Sequence, residues 1–340
     1  MTANTRLLLL FTFTAILLFV ADISLGPVSI PPADVFSVLS GGESSKISWE
    51  YIIRNYRLPK AITAMLAGIG LSVSGLLMQT LFRNPLAGPY VLGLSSGSSL
   101  GAAVVILGAS YLPISIASML LSPYGLIVAS CAGAFLVLLA VLAVSRRIRD
   151  TTSILIVGLM FGSFATAVIS VLTYFSTAEQ LQKFTFWSLG NLGNLSWESI
   201  AILSTSIVGG LAISFICVKP LNALLLGENY ARTLGLNFNR TRFLVITSTS
   251  ILAGSITAFA GPIAFIGLAV PHIAKLSFKS SDHRTLFIAT IILGASIMLL
   301  CDILCQIPGT DITLPVNAVS SVIGAPIVVW LLLGKRRLTI

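Results

Sequence analysis

The sequence predicts an all-α, polytopic membrane protein with about ten transmembrane helices, and three observations carry that reading. Hydrophobic residues make up 56% of the 340, and mean hydropathy is +1.00, more apolar surface than a soluble fold can cover. Only 9% of the residues are charged, against about 25% in soluble domains. The charges fall in short clusters between long uncharged runs, which reads as apolar spans joined by polar links. Residues 1–340 are taken as a single transmembrane domain.

The first span, residues 7–25, follows a lone Arg6. A cleaved leader is the rival reading. The apolar stretch is long for one, and no small-x-small site stands out before Asp22, so a retained helix is expected. Residues 26–59 read as a long soluble loop. Within it, Leu39-Ser40-Gly41-Gly42-Glu43 looks like the signature loop of an ATPase. No G-x-x-x-x-G-K-[ST] phosphate loop accompanies it, so the match is taken as chance and this chain is not expected to bind ATP.

Between Lys60 and Arg83 lie 22 residues without a charge, enough helix to cross a bilayer. Ala64, Gly68 and Ser72 stand at helical spacing in this span, and Gly93, Gly97 and Gly101 in the next. Such rows let helix backbones approach closely where lipid supplies no hydrophobic drive for association. Between the two rows, Arg83-Asn84-Pro85-Leu86-Ala87-Gly88-Pro89 cannot continue a helix, so the chain turns there. The spans after the first are drawn at 60–81, 91–109, 124–144, 153–175, 198–218, 242–259, 261–277, 286–304 and 314–333. Pro262 and Pro271 make the one at 261–277 short and irregular.

With both termini cytoplasmic, only Lys46, Arg54, Arg57, Lys60 and Lys183 of the 20 Lys and Arg residues face outward. That asymmetry follows the positive-inside rule and sets the orientation. The same scatter argues against nucleic acid as the reason for the net charge of +9. Cys131, Cys217, Cys301 and Cys305 lie in or beside apolar spans and read as packing residues. No ionisable side chain stands near the middle of a span, which disfavours an ion-coupled carrier. No nucleophile, metal cluster or pair of facing carboxylates suggests an enzyme, and no cofactor or metal is expected.

Several segments could carry chemistry. In the loop at about 219–241, Gly227-Glu228 followed by Ala231, Leu234 and Gly235 reads as a short helix closed by glycine. Thr151 and Thr152 follow the basic cluster Arg146, Arg147 and Arg149, and Thr152 suits a helix cap. Arg57 and Lys60, by themselves, read as interfacial anchors. The aromatics Phe184, Phe186, Trp187 and Trp197 read as an interfacial belt. His272, beside a proline, reads as a packing element.

The run Arg57-Leu58-Pro59-Lys60, then AGIGLSVSGLLMQ, then RNPLAGPYVLGLSSG resembles the permeases that import iron-siderophores, haem and cobalamin through ABC transporters. GPIAFIGLAVPH at 261–272 and Gly324-Ala325-Pro326 fit the same family, so the resemblance spans about residues 50 to 333. It implies the permease fold of a type II ABC importer in a bacterial cytoplasmic membrane. It also implies a second permease copy, two ATPase subunits and a substrate-binding protein as partners, with the lipid bilayer around them. Asn84, Leu86, Thr151 and Thr152 would form the cytoplasmic gate. Gly227, Glu228, Ala231, Leu234 and Gly235 match the helix that docks into the ATPase. Arg57 and Lys60 would meet acidic residues of the binding protein, and Thr166, Ser170, Thr173 and Tyr174 would line the pathway, near a short outer helix after the fifth span.

Four positions depart from the family pattern. Gln306 stands where cobalamin-type members carry a further arginine, Thr313 replaces a glutamate, Asn317 a glycine and Lys275 an arginine. The outer docking surface is therefore expected to be less basic than in cobalamin importers. A ferric siderophore is the first substrate expected, with haem or cobalamin as alternatives. An ATPase-independent secondary transporter and a membrane scaffold are the rival classes.

Overall fold

A computed structural model describes residues 3–147, 151–193, 195–306 and 312–334. In chain order its helices are α1 (Ala3–Ser24), α2 (Pro32–Leu39), α3 (Ile47–Ile52), α4 (Leu58–Leu81), α5 (Leu94–Gly108), α6 (Ile114–Leu120), α7 (Pro123–Arg147) and α8 (Thr151–Tyr174). The second half holds α9 (Ala178–Ser188), α10 (Trp197–Ile216), α11 (Val218–Leu225), α12 (Glu228–Thr233), α13 (Phe238–Ala260), α14 (Ile266–Phe278), α15 (His283–Cys305) and α16 (Val316–Gly334). Among the described residues there is no strand, only an isolated bridge between Gln306 and Thr313.

Eight of the described helical stretches are long and apolar enough to cross a membrane, and α14 and α16 are shorter apolar helices. Together they account for the ten spans. The irregular span is α14, which has 13 residues with Pro271 inside it. It is entered through Phe265 in a left-handed conformation, φ 66°.

The segment at 26–59 differs from the loop expected of it. It folds into α2, α3 and a π-helical stretch, Ile53–Arg57, that runs straight into α4. Pro59 hid this continuity. A proline inside a helix lacks a donor and crowds the carbonyl one turn back. Here the ladder shifts register just before it: the Leu58 N–H reaches the Ile53 carbonyl, five residues back. The signature-like Leu39–Glu43 run is the C-terminal cap of α2. The Gly42 N–H donates to the Ser37 carbonyl at 2.8 Å and the Ser37 hydroxyl to the Glu43 carbonyl at 2.6 Å.

The chain divides into two compact units: residues 1–73, 191–204 and 263–340, and residues 74–190 and 205–262. In the first, α1 packs on α15, and α14 lies against α15 and α16. The Ala64–Gly68–Ser72 row is used as the spacing suggests. A Cβ on Gly68 would overlap the Gly294 carbonyl, and one on Gly294 would come within 2.6 Å of the Ser72 hydroxyl. In the second unit α5 is the hub, packed on α7, α8, α9 and α13. Its glycine row serves two neighbours. Gly97 and Gly101 meet Gly133 and Ala129 of α7, while Gly93 meets Gly158 of α8. Backbone proximity of this kind replaces the side-chain core of a soluble bundle. Within the same unit, the Ser214 and Ser248 hydroxyls are hydrogen-bonded at 2.6 Å, one donating to the other, and both oxygens lie 2.8 Å from the Gly210 carbonyl, which accepts the remaining hydrogen and ties α10 to α13.

Candidate functional site

The turn after α4 is built by its own backbone. Arg83 takes a left-handed conformation, φ 47°. The Asn84 N–H returns to the Gln79 carbonyl at 3.1 Å, and the Asn84 side-chain oxygen accepts the Leu86 N–H at 2.9 Å. This Asx turn fixes residues 84–86 and leaves Leu86 exposed. Thr151 and Thr152 open α8, but their side chains lie outside the described residues.

Beyond that turn, within the second unit, lies an open groove of about 520 Å³. Tyr90, Gly93 and Ser96 form one wall, and Gly158, Gly162, Ser163, Thr166 and Ser170 of α8 line the other. Thr166 and Ser170, named from the sequence as pathway residues, lie on this groove. Thr173 and Tyr174 are not among the lining residues, and Tyr174 is 83% exposed with its ring edge-on to Phe175. Tyr90, Ser96 and Ser163 were missed, although Ser96 stands one turn after Gly93 and Ser163 lies beside Gly162. Among the described residues, no charged side chain lines the groove. Three hydroxyl hydrogens of α8 on the groove are committed to their own helix: Ser163 to Leu159, Thr166 to Gly162 and Ser170 to Thr166, at 2.9–3.0 Å. The wall therefore presents oxygen lone pairs and methyl groups, a surface that wets a polar solute without gripping it.

The 219–241 segment folds as two short helices with glycine corners. Val218, Leu221 and Leu224 of α11 are buried. Gly227 (φ 109°) and Gly235 (φ 84°) bracket α12, and a Cβ at either would meet nothing within 4 Å. Backbone conformation, and not lack of space, requires glycine at both. Arg232 and Glu228 pair at 2.6 Å one turn apart, and the Arg232 and Arg242 guanidinium groups lie 5.7 and 5.8 Å from the Phe238 ring centroid. Ala231 is buried, whereas Tyr230 and Leu234 are more than half exposed. A small, stiff helix thus presents an apolar edge, with its buried side fixed by Ala231.

In the first unit, Arg57 and Lys60 are engaged within the chain. Arg57 is 9% exposed and donates to the carbonyls of Ile23, Ser24 and Val28. The first two belong to the last turn of α1, whose carbonyls have no partner inside the helix. Lys60 Nζ lies 3.0 Å from Oδ1 of Asp302, a residue 2% exposed. Gln306 Nε2 donates to Asp22 Oδ1 at 3.2 Å and to Asp302 Oδ2 at 3.4 Å, closing the cluster. Nothing in the sequence flagged Asp22 and Asp302 as neighbours. The aromatic segment yields α9, the short helix expected after the fifth span, begun by a Thr177–Gln180 capping box. Phe184 and Trp187 pack towards Ala102, Ala103, Ile106 and Leu107 of α5, while Phe186 is exposed. Among the described residues, no group of three or more His, Cys, Asp or Glu could hold a metal ion.

The chain is similar to known proteins over nearly its whole length. A model of the FecCD transport family matches residues 14–334. The chain belongs to that family. As a FecCD protein it is 34% identical to the vitamin B12 import system permease protein BtuC of Citrobacter koseri, over 98% of this chain and 96% of the relative. It is 35% identical to that of Klebsiella pneumoniae, over 96% and 94%. A solved inward-facing conformation of a metal-chelate type ABC transporter superposes on this FecCD chain with a TM-score of 0.84 and 26% identity, covering 97% of this chain and 99% of the other. PsaBC from Streptococcus pneumoniae shares the fold alone, at 14% identity and a TM-score of 0.53. This FecCD protein is thus a multi-pass membrane permease of the ABC importer type, with the all-α type II permease fold.

Proposed function

We propose that this permease moves a bulky metal chelate inward, driven by ATP hydrolysis on two separate ATPase subunits. Two copies of the permease enclose the pathway, a binding protein delivers the substrate from outside, and both termini face the cytoplasm of a bacterial inner membrane. The carrying observation is α12, bracketed by Gly227 and Gly235 and presenting Tyr230 and Leu234 outward. A rigid helix seated in an ATPase groove passes closure on as rigid-body motion. The motion alternates the gate at Asn84, Leu86, Thr151 and Thr152. Thr166, Ser170, Thr173 and Tyr174 belong to the pathway, whose hydroxyl wall in the groove suits a conduit that must release its cargo.

Binding-protein docking falls to Arg57 and Lys60 by different routes: Lys60 makes the contact, and Arg57 holds the end of α1 beside it. Each already has partners inside the chain, so an incoming carboxylate must compete with Asp302 for Lys60. A ferric siderophore is the first substrate, in keeping with Gln306, Thr313 and Asn317 at the outer surface. Cobalamin is the second, favoured by the names of the B12 permease relatives.

The test is purification of the tagged chain from its host in mild detergent, followed by reconstitution with whatever ATPase co-purifies. Uptake of labelled ferric siderophores, haem and cobalamin is then measured with and without ATP. ATP-dependent accumulation of one chelate supports the reading and names the substrate. Uptake that ignores ATP and follows an ion gradient overturns it.

A further inference from the structure

From Asn84 to Ser145 the chain carries no Asp, Glu, Lys, Arg or His. That run holds two spans, α5 and α7, and also the connection between them. A connection surrounded by water would ordinarily carry charge. This one instead contains Tyr111, Pro113 and the seven-residue α6, in which no residue is buried. Ile114 is 89% exposed, Met119 and Tyr111 each 73%, and Ile116 48%.

We propose that α6 and its flanks are seated in the lipid bilayer, as a shallow insertion at the boundary between headgroups and acyl chains. Helix lengths support this. With the 3-10 turn Ala109–Tyr111 that continues it, α5 makes an 18-residue apolar span, Leu94–Tyr111, which rises roughly 28 Å, close to the ~30 Å of the hydrocarbon core. The next span, α7, has 25 residues and rises roughly 37 Å. A link that begins where one such span ends and stops where the next begins lies at the depth of the interface.

The polar atoms of the link agree. Ser118 donates to the Ser115 carbonyl at 3.0 Å and Ser122 to the Met119 carbonyl at 2.6 Å, so neither hydroxyl needs water. The aqueous boundary is marked next door. Ser110 accepts from Gln180 of α9 at 2.5 Å, and α9 carries the exposed Glu179–Lys183 ion pair. The exposed apolar face continues into α7 through Val128, Phe135 and Leu136. A docking surface for a soluble protein carries a polar, charged rim. This link has none.

The test uses the full-length permease in nanodiscs, where both faces are accessible and orientation does not matter. Bimane is attached at Ile114→Cys, Met119→Cys and, as an aqueous control, Lys183→Cys, with the signal of the unsubstituted chain subtracted. Bimane at 114 and 119 is expected to be quenched by phospholipids carrying a nitroxide on the acyl chain and several-fold less by iodide than bimane at 183. Iodide quenching at 114 and 119 equal to that at 183 places the link in water and overturns the proposal. Protection from both quenchers means that a second copy or another protein covers the link, and overturns it too. The readout is independent of transport, so it stands or falls separately from the substrate.

Discussion

Lys60 cannot be removed without stranding a carboxylate, because Asp302 beside it is 2% exposed. Breaking such a pair from one side costs about 3–5 kcal/mol. Lys60→Met is therefore expected to lower the stability of the detergent-solubilised permease by about that amount, and the double variant with Asp302→Asn to recover most of it. Thermal unfolding followed by near-UV circular dichroism reads both. A second carboxylate gives a pH dependence. Ser45 donates its N–H and hydroxyl to Asp34 Oδ1 at 2.6 and 2.7 Å. The backbone and side-chain bonds from Ser45 hold the Asp34 carboxyl below its ordinary value. The sign follows from linkage: the contribution is full above the unfolded carboxylate value, about 3.9, and is lost as pH falls through the folded one. Limited proteolysis of the 40–46 turn should accelerate below that window, and Asp34→Asn should abolish the pH dependence by removing the bonded carboxylate at every pH.

At the scale of elements, close backbone contact does the work that apolar side chains do in soluble bundles. A Cβ on Gly101 would overlap the Ala129 carbonyl of α7. Gly101→Val is therefore expected to force α5 and α7 apart and cost about 1–3 kcal/mol. Loss of a monodisperse peak in size-exclusion chromatography, with Gly108→Val as the control at a site with nothing within 4 Å, checks it. These rows were legible in the sequence, as were the spans, because both depend on local spacing and absence of charge. The shorter elements were not. Pro59 reads as a helix boundary, and only the π-helical turn before it shows that the helix continues. The Asp22–Gln306–Asp302 contact joins residues up to 284 apart in sequence, a pairing no local pattern encodes. The sequence singled out Thr166 and Ser170 of the groove by their hydroxyls on one helix. Ser96 was not singled out, because its place beside α8 follows from the Gly93–Gly158 contact.

For the molecule as a whole, the coupling helix is where the proposed energy transfer is open to test. Glu228→Arg places two like charges one turn apart on α12, and Gly235→Pro imposes a negative φ where the chain needs 84°. Both variants are expected to insert normally, measured by membrane fractionation, and to lose ATP-driven uptake together with ATPase co-purification. Normal uptake by either inserted variant removes α12 from the coupling path. The groove makes a complementary demand. Among the described residues its lining has no charge, and Ser163, Thr166 and Ser170 donate to their own helix, so under the proposed function selectivity for one chelate over another falls to the proposed binding protein.

The arginine at the end of α1 bears on how genetics would read this protein. Because Arg57 holds three carbonyls of the 23–28 segment, a random screen for strains defective in substrate delivery will recover substitutions at 57 for the wrong reason. They will score as delivery mutants while acting as assembly mutants, with less protein in the membrane. Suppressors will then map to the 22–30 stretch of the same polypeptide and not to the binding protein. Allele-specific suppression at Lys60, which keeps 22% of its side chain exposed, is where a genuine protein–protein contact would announce itself.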